Sequence, residues 1–141
     1  MDIHFEILPP HTKKVFEWLR HQPFIEHFYL AGGTALALYF GHRTSVDLDF
    51  FTVDQFDPDT LQEDLAHFGA FTTTKKEHNT LTGELKKTKL SFFKIPDKSI
   101  RPLLHLDSIR IADLLDLALM KIMAISDRGT RRDFVDLYAL T

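Results

Sequence analysis

The chain has 141 residues, of which 44% are hydrophobic and 26% charged, enough to bury one hydrophobic core and too short for two, so a single domain over residues 1–141 is expected. It has no cysteine, which excludes disulfide frameworks, thiol catalysis and Cys-ligated zinc; its eight histidines never fall at ligand spacing, so any metal is expected on carboxylates. The formal charge is −3, no apolar run approaches the roughly 18 residues of a membrane span, and MDIHFEILPP lacks the basic-then-apolar pattern of a signal peptide, which predicts a cytoplasmic protein.

In chain order, Pro9 and Pro10 precede a helical pattern in which Val15, Trp18 and Leu19 share a face, and Gln22-Pro23 ends it. Phe28 to Ala31 is short and apolar and runs into Gly32-Gly33, so it reads as a buried strand turning sharply into a helix over residues 34–40. From Val46 to Phe51 the apolar Val46, Leu48 and Phe50 alternate with Asp47 and Asp49, the two-residue period of a half-buried strand. Asp57-Pro58 opens a further helix that stops near Gly69. Two β-branched and aromatic runs, 71–74 and 90–95, with Gly83 between them, predict strands. Ile111 to about Ile125 is the longest helical stretch and is apolar on nearly every side, which predicts burial all round; Thr130 opens a last helix toward Leu140. The expected fold is α+β, a small mixed sheet flanked by helices.

Chemistry concentrates on Asp47 and Asp49. An i, i+2 pair on a strand presents both carboxylates on one face, with Cα atoms roughly 6.6 Å apart. Such a pair suits Mg²⁺ or Mn²⁺, which keep waters and bind substrate phosphates in their remaining positions, although an Asp-x-Asp on a solvated strand face is often inert. The turn at Gly32, Gly33 and Thr34 admits two readings as well: backbone amides and a helix N-terminus that cradle phosphate, or a plain tight turn with Thr34 as N-cap. Its position thirteen residues before the acidic strand favours the first, because it sets a triphosphate beside a metal.

Leu30 to Phe51, LAGGTALALYFGHRTSVDLDFF, closely resembles the first motif of the AbiEii/AbiGii-type toxin nucleotidyltransferases of the DNA polymerase β superfamily. A second block, residues 121–138, is similar to that family's later lysine and R-D-x-x-D motifs. The resemblance implies a nucleotidyltransferase-like domain that moves an NMP from an NTP to an acceptor, as the toxin of a toxin–antitoxin or abortive-infection system with a cognate antitoxin. It also implies that Asp47 and Asp49 hold Mg²⁺ or Mn²⁺, that Gly32, Gly33 and Thr34 hold the triphosphate, and that Lys121 and one of Asp133 and Asp136 complete the site. Arg43 and Ser45 either steady the acidic strand or touch phosphate. Longer relatives continue into a helical region past the point matching Thr141.

Lys121 sits in an apolar helical stretch with no carboxylate three or four residues away, so it needs an anion from elsewhere, a nucleotide phosphate or a distant acid such as Asp136. Thr130 to Asp133 also fits a capping box, a purely structural role for Asp133. The thirteen phenylalanines read mostly as core. Many polymerase β-like enzymes carry a third carboxylate on a later strand, but residues 88–94 offer none, with Ser91 at the polar position; either Asp133 or Asp136 substitutes, or catalysis runs on a reduced site of the kind the resemblance to the toxin family implies, or nucleotide is bound without turnover. Hence the alternative of a catalytically weak nucleotide-binding or protein-interaction module stands beside the enzyme.

Residues 75–101 hold eight Lys/Arg against three Asp/Glu, leaving nine basic against seventeen acidic elsewhere. This segment is the expected dock for a polynucleotide acceptor such as tRNA, or failing that an acidic protein surface; a solvated edge that discourages aggregation is the plainer alternative.

Overall fold

The computed structural model describes residues 2–96, 99, 101–127, 136 and 139. Among them are four α-helices, α1 (Pro10–Leu19), α2 (Gly32–Phe40), α3 (Pro58–Ala66) and α4 (Leu114–Asp127), and seven strands in one mixed sheet. The strands are β1 (Tyr29–Ala31), β2 (Asp47–Thr52), β3 (Phe71–Glu77), β4 (Thr80–Leu85), β5 (Thr88–Lys94), β6 (Leu104–Leu106) and β7 (Ile109–Ile111), in the order β3-β4-β5-β2-β1-β7-β6. The α+β class with a mixed sheet and flanking helices holds. The last predicted helix, from Thr130, lies outside the described residues apart from single positions.

Local chemistry fixes most boundaries. Pro10 occupies the first turn of α1, where its missing N–H costs nothing. The Asp57 side chain caps α3 by accepting from the Asp59 amide. Gly41, at φ 62°, ends α2 in the left-handed conformation. On β2 the alternation buries Leu48, Phe50 and Thr52 on one face and leaves Asp47, Asp49 and Phe51 half-buried on the other.

Phe50 and Phe92 stack across β2 and β5 with ring centroids 5.3 Å apart. With Leu48, Leu81, Leu85, Leu90 and the α1 residues Val15, Phe16 and Leu19 they form a fully enclosed core. Burying each such side chain stabilises the fold by about 1.5–3 kcal/mol.

Four expectations need correction. The region from 70 to 95 is three antiparallel strands rather than two. Gly83 is a mid-strand residue of β4, where a Cβ would lie 2.4 Å from the Phe71 ring. Ile111 ends the β6–β7 hairpin instead of opening a helix; α4 starts at Leu114, where the Asp113 side chain accepts from the Leu115 amide. Nor is α4 enclosed all round. Lys121 is 4% exposed while Leu115, Leu119, Ile122 and Met123 are 41–68% exposed, so the apolar helix buries one side and shows the other. No helix of the described residues is long and apolar enough to cross a membrane.

Candidate active site

β2 lies between β1, antiparallel to it, and β5, parallel to it, and this sandwiching sets the site. Asp49 is level with Ala31 on β1 and Ser91 on β5, and Asp47 is level with Lys89. Gly32 follows Ala31 directly, so the turn into α2 passes over the Asp49 carboxylate: a Cβ on Gly32 would lie 3.2 Å from Asp49 Oδ2. Gly32 also takes φ 76°, which glycine adopts without strain.

Residues 32–34 open α2, with Ala31 as N-cap and no side-chain cap among the described residues. Thr34 is therefore in the first turn and not the cap. Its hydroxyl donates to the Asp47 carbonyl and is hydrogen-bonded to Ser45 Oγ, and the Ser45 amide in turn donates to Ile7 O at 3.1 Å. Thr34 and Ser45 are both buried. Their contacts tie the glycine turn to the start of the acidic strand.

Behind Gly33 sits a buried charge cluster. Asp136 is fully enclosed and its carboxylate accepts from Arg43 at two points, Nε at 2.8 Å and Nη2 at 3.0 Å, from Lys121 Nζ at 2.8 Å, and from His42 Nε2 at 2.6 Å. Burial pushes the Asp136 pKa up, but the hydrogen bonds from Arg43, Lys121 and His42 outweigh it and hold the group down at about 2. A side chain on Gly33 would meet this cluster, with Cβ 2.1 Å from Arg43 Nη2 and 3.1 Å from Asp136 Oδ2. The second glycine thus makes room for an ion pair as much as for a ligand.

In front of this cluster is a cleft of about 310 Å³ lined by Gly32, Gly33, Thr34, Arg43, Ser45, Asp47, Asp49 and Lys121. Asp136 completes the cluster through Lys121 and Arg43, and Asp133 lies outside the described residues. The remaining wall, Phe51, Lys89 and Phe93 from the sheet and Leu117 and Met120 from α4, is not among the site residues expected from the sequence. The signal was the doublets Phe50-Phe51 and Phe92-Phe93, because consecutive aromatics on a strand put one ring on each face.

Asp47 and Asp49 suit a hard cation. They are two carboxylates on one face of a strand beside a helix N-terminus, and no group of three or more metal-ligating side chains occurs among the described residues. A Mg²⁺ or Mn²⁺ ion held there would complete its shell with water and phosphate oxygens. Ser91 does occupy the level of Asp49 on β5, so the neighbouring strand adds a hydroxyl and not a carboxylate.

The basic segment is less uniform than its charge suggests. Lys76 pairs with Asp59 at 2.7 Å, Lys75 with Glu77 at 3.9 Å, and the Lys86 ammonium lies 4.8 Å from the centre of the Phe68 ring. Lys87 and Lys94 are exposed, Lys89 turns into the cleft, and Lys98 is outside the described residues.

Two solved structures share the fold. JHP933 from Helicobacter pylori superposes with a TM-score of 0.62 at 20% identity, covering 94% of this chain and 67% of that one. The Megavirus polyadenylate synthase does so with a TM-score of 0.59 at 15% identity, covering 96% of this chain and 30% of that one. In sequence, the Aquifex aeolicus (strain VF5) protein aq_aa25 is 38% identical over 117 residues, which cover 80% of this chain and 57% of the relative, so the chain spans little more than half of that protein's length. Residues 15–141 match the family described as "Nucleotidyl transferase AbiEii toxin, Type IV TA system". That match takes in the glycine turn, the acidic strand and the lysine helix alike, and the chain belongs to the AbiEii nucleotidyl transferase toxin family.

Proposed function

We propose that this cleft transfers a nucleoside monophosphate from an NTP to an acceptor hydroxyl, as the toxin half of a toxin–antitoxin pair. One observation carries the reading: Asp47 and Asp49 lie on one face of β2, with the Asp49 carboxylate directly beneath the N-terminus of α2, in a cleft that Lys121 also lines. The α2 amides and helix dipole favour the triphosphate, and Lys89 and Lys121 add positive charge. Asp47 and Asp49 would hold Mg²⁺ or Mn²⁺, which when bound neutralises phosphate charge and polarises the reacting groups.

The acceptor oxygen bonds to the α-phosphorus while the bond to the bridging oxygen breaks, pyrophosphate leaves, and the acceptor proton passes to solvent. The protein contributes position and electrostatics, which carry most of the catalysis in phosphoryl and nucleotidyl chemistry. Arg43 acts chiefly through Asp136: it fixes the carboxylate that holds Lys121 at the cleft wall. The acceptor is a polynucleotide, tRNA first, approaching over the exposed lysines of 75–101, and a cognate antitoxin is the natural protein partner.

The test is incubation with each labelled NTP, Mg²⁺ and total RNA, alongside an Asp47→Asn, Asp49→Asn variant. Labelled RNA from the parent alone supports the reading. Ser91 at the level of Asp49 favours the second reading, nucleotide binding without turnover, which predicts NTP binding with no pyrophosphate released.

A further inference from the structure

Tyr29, Phe51 and Phe93 stand level with one another across β1, β2 and β5. Their rings form a row on the cleft face, with centroids 6.1 Å apart and planes tilted by 35° for the first pair, and 5.6 Å and 33° for the second. On the opposite face of the same strands, Phe50 and Phe92 are fully enclosed in the core, whereas Phe51 and Phe93 are only half-buried and line the cleft. The core pair accounts for packing on that side. The outer pair is less enclosed, Phe51 packing in part against the core, and both rings line the cleft, with Leu117 and Met120 of α4 contributing the other apolar lining.

The row lies one pleat beyond the carboxylates. Phe51 is two residues after Asp49, and Phe93 two after Ser91, a spacing of roughly 6.6 Å along each strand. The cleft is thus polar where Asp47, Asp49 and the glycine turn meet and apolar one step along. We infer that Phe51 and Phe93 form the nucleobase subsite of the cleft, with the base of the NTP stacked on the aromatic row and enclosed by Leu117 and Met120 while its phosphates lie toward Gly32 and Gly33. This rests on the nucleotide reading above and adds the part of the substrate which that reading leaves unplaced. Aromatic rings accept the face of any base, and the charged groups lining the cleft, Asp47, Asp49, Lys89, Lys121 and Arg43, belong to its polar end.

The experiment compares two probes by calorimetry on the full chain with Mg²⁺: the four NTPs and inorganic tripolyphosphate, which has the phosphates without the base. The parent should bind at least one NTP about ten-fold or more tighter than tripolyphosphate, the range expected of one base stacked on an aromatic ring. Phe93→Ala should remove most of that preference and leave the tripolyphosphate affinity unchanged, and Phe93→Tyr should keep it. Phe93→Leu retains apolar bulk on the sheet and serves if the alanine variant folds poorly; it too should lose the preference. An NTP affinity unmoved by Phe93→Leu overturns the subsite, as does an equal loss for NTP and tripolyphosphate. A parent that binds neither probe overturns the nucleotide reading together with the subsite.

Discussion

Lys121 Nζ lies 2.8 Å from Asp136 Oδ2, and the two side chains are 4% and 0% exposed. The anion that an apolar helix requires for its lysine is thus present within the chain, and it is shared with Arg43 and His42.

The sharing makes the two ends of the pair unequal. Lys121→Met leaves Asp136 with the bidentate Arg43 and with His42, so it should cost about 1–2 kcal/mol of stability. Asp136→Asn leaves the half-buried Arg43 and the buried Lys121 together without their common counter-charge and should cost about 3–5 kcal/mol. Urea denaturation of both variants measures the difference; equal costs would show that Lys121 is held by something other than Asp136.

Acid should expose the same cluster. Asp136 has its pKa lowered from 3.8 to about 2, so it binds its proton more weakly folded than unfolded. Its contribution of about 2 kcal/mol is fully present above the unfolded value and is lost as pH falls from about 4 to about 2. Denaturation midpoints followed over that window should drop more steeply for the parent than for Asp136→Asn.

Metal and nucleotide should stabilise the fold together. At 100 times its dissociation constant a ligand adds about 2.7 kcal/mol, readily seen in a thermal melt. With Asp47→Asn, Asp49→Asn the metal-dependent part of that shift should vanish; if it persists in full, these aspartates are not the ligands.

The β4–β5 turn offers a separation of stability from binding. Lys86 and Lys87 occupy it at φ 49° and 65°, a left-handed pair that a two-residue hairpin turn normally assigns to Asn-Gly. Lys86→Asn, Lys87→Gly should raise stability by about 1–2 kcal/mol, less the small contribution of Lys86 against Phe68. If the segment docks RNA, the same variant should flatten the salt dependence of RNA binding by up to about two units, at roughly 0.9 per phosphate contact. An unchanged slope would leave these lysines as edge protection.

Much of the candidate site was legible because its determinants are local. Gly32-Gly33 after an apolar strand and the alternation about Asp47 and Asp49 are decided within a few residues of chain. What was illegible depends on partners distant in sequence. β4 carries Gly83 and Glu84, poor strand formers, and is a strand because β3 and β5 flank it and the Phe71 ring fills the space a side chain would take. β6 and β7 have three residues each, too few for periodicity, although the alternation of Leu104, Leu106, Ile109 and Ile111 about Asp107-Ser108 was the available sign. For Phe51 and Phe93, composition alone does not separate a ring on the cleft face from its neighbour in the core. The Asp136 cluster joins residues more than ninety positions apart.

The Thr34 hydroxyl on the Asp47 carbonyl bears on the thermodynamics of recognition. Because the glycine turn and the acidic strand are fastened by a buried side chain, their relative geometry exists before any ligand arrives, and association need not expend free energy on ordering them. Thr34→Val keeps the shape and removes the fastening. Its effect should therefore fall on the entropy of nucleotide binding more than on the enthalpy, as a wider ensemble of turn positions has to be narrowed at each encounter.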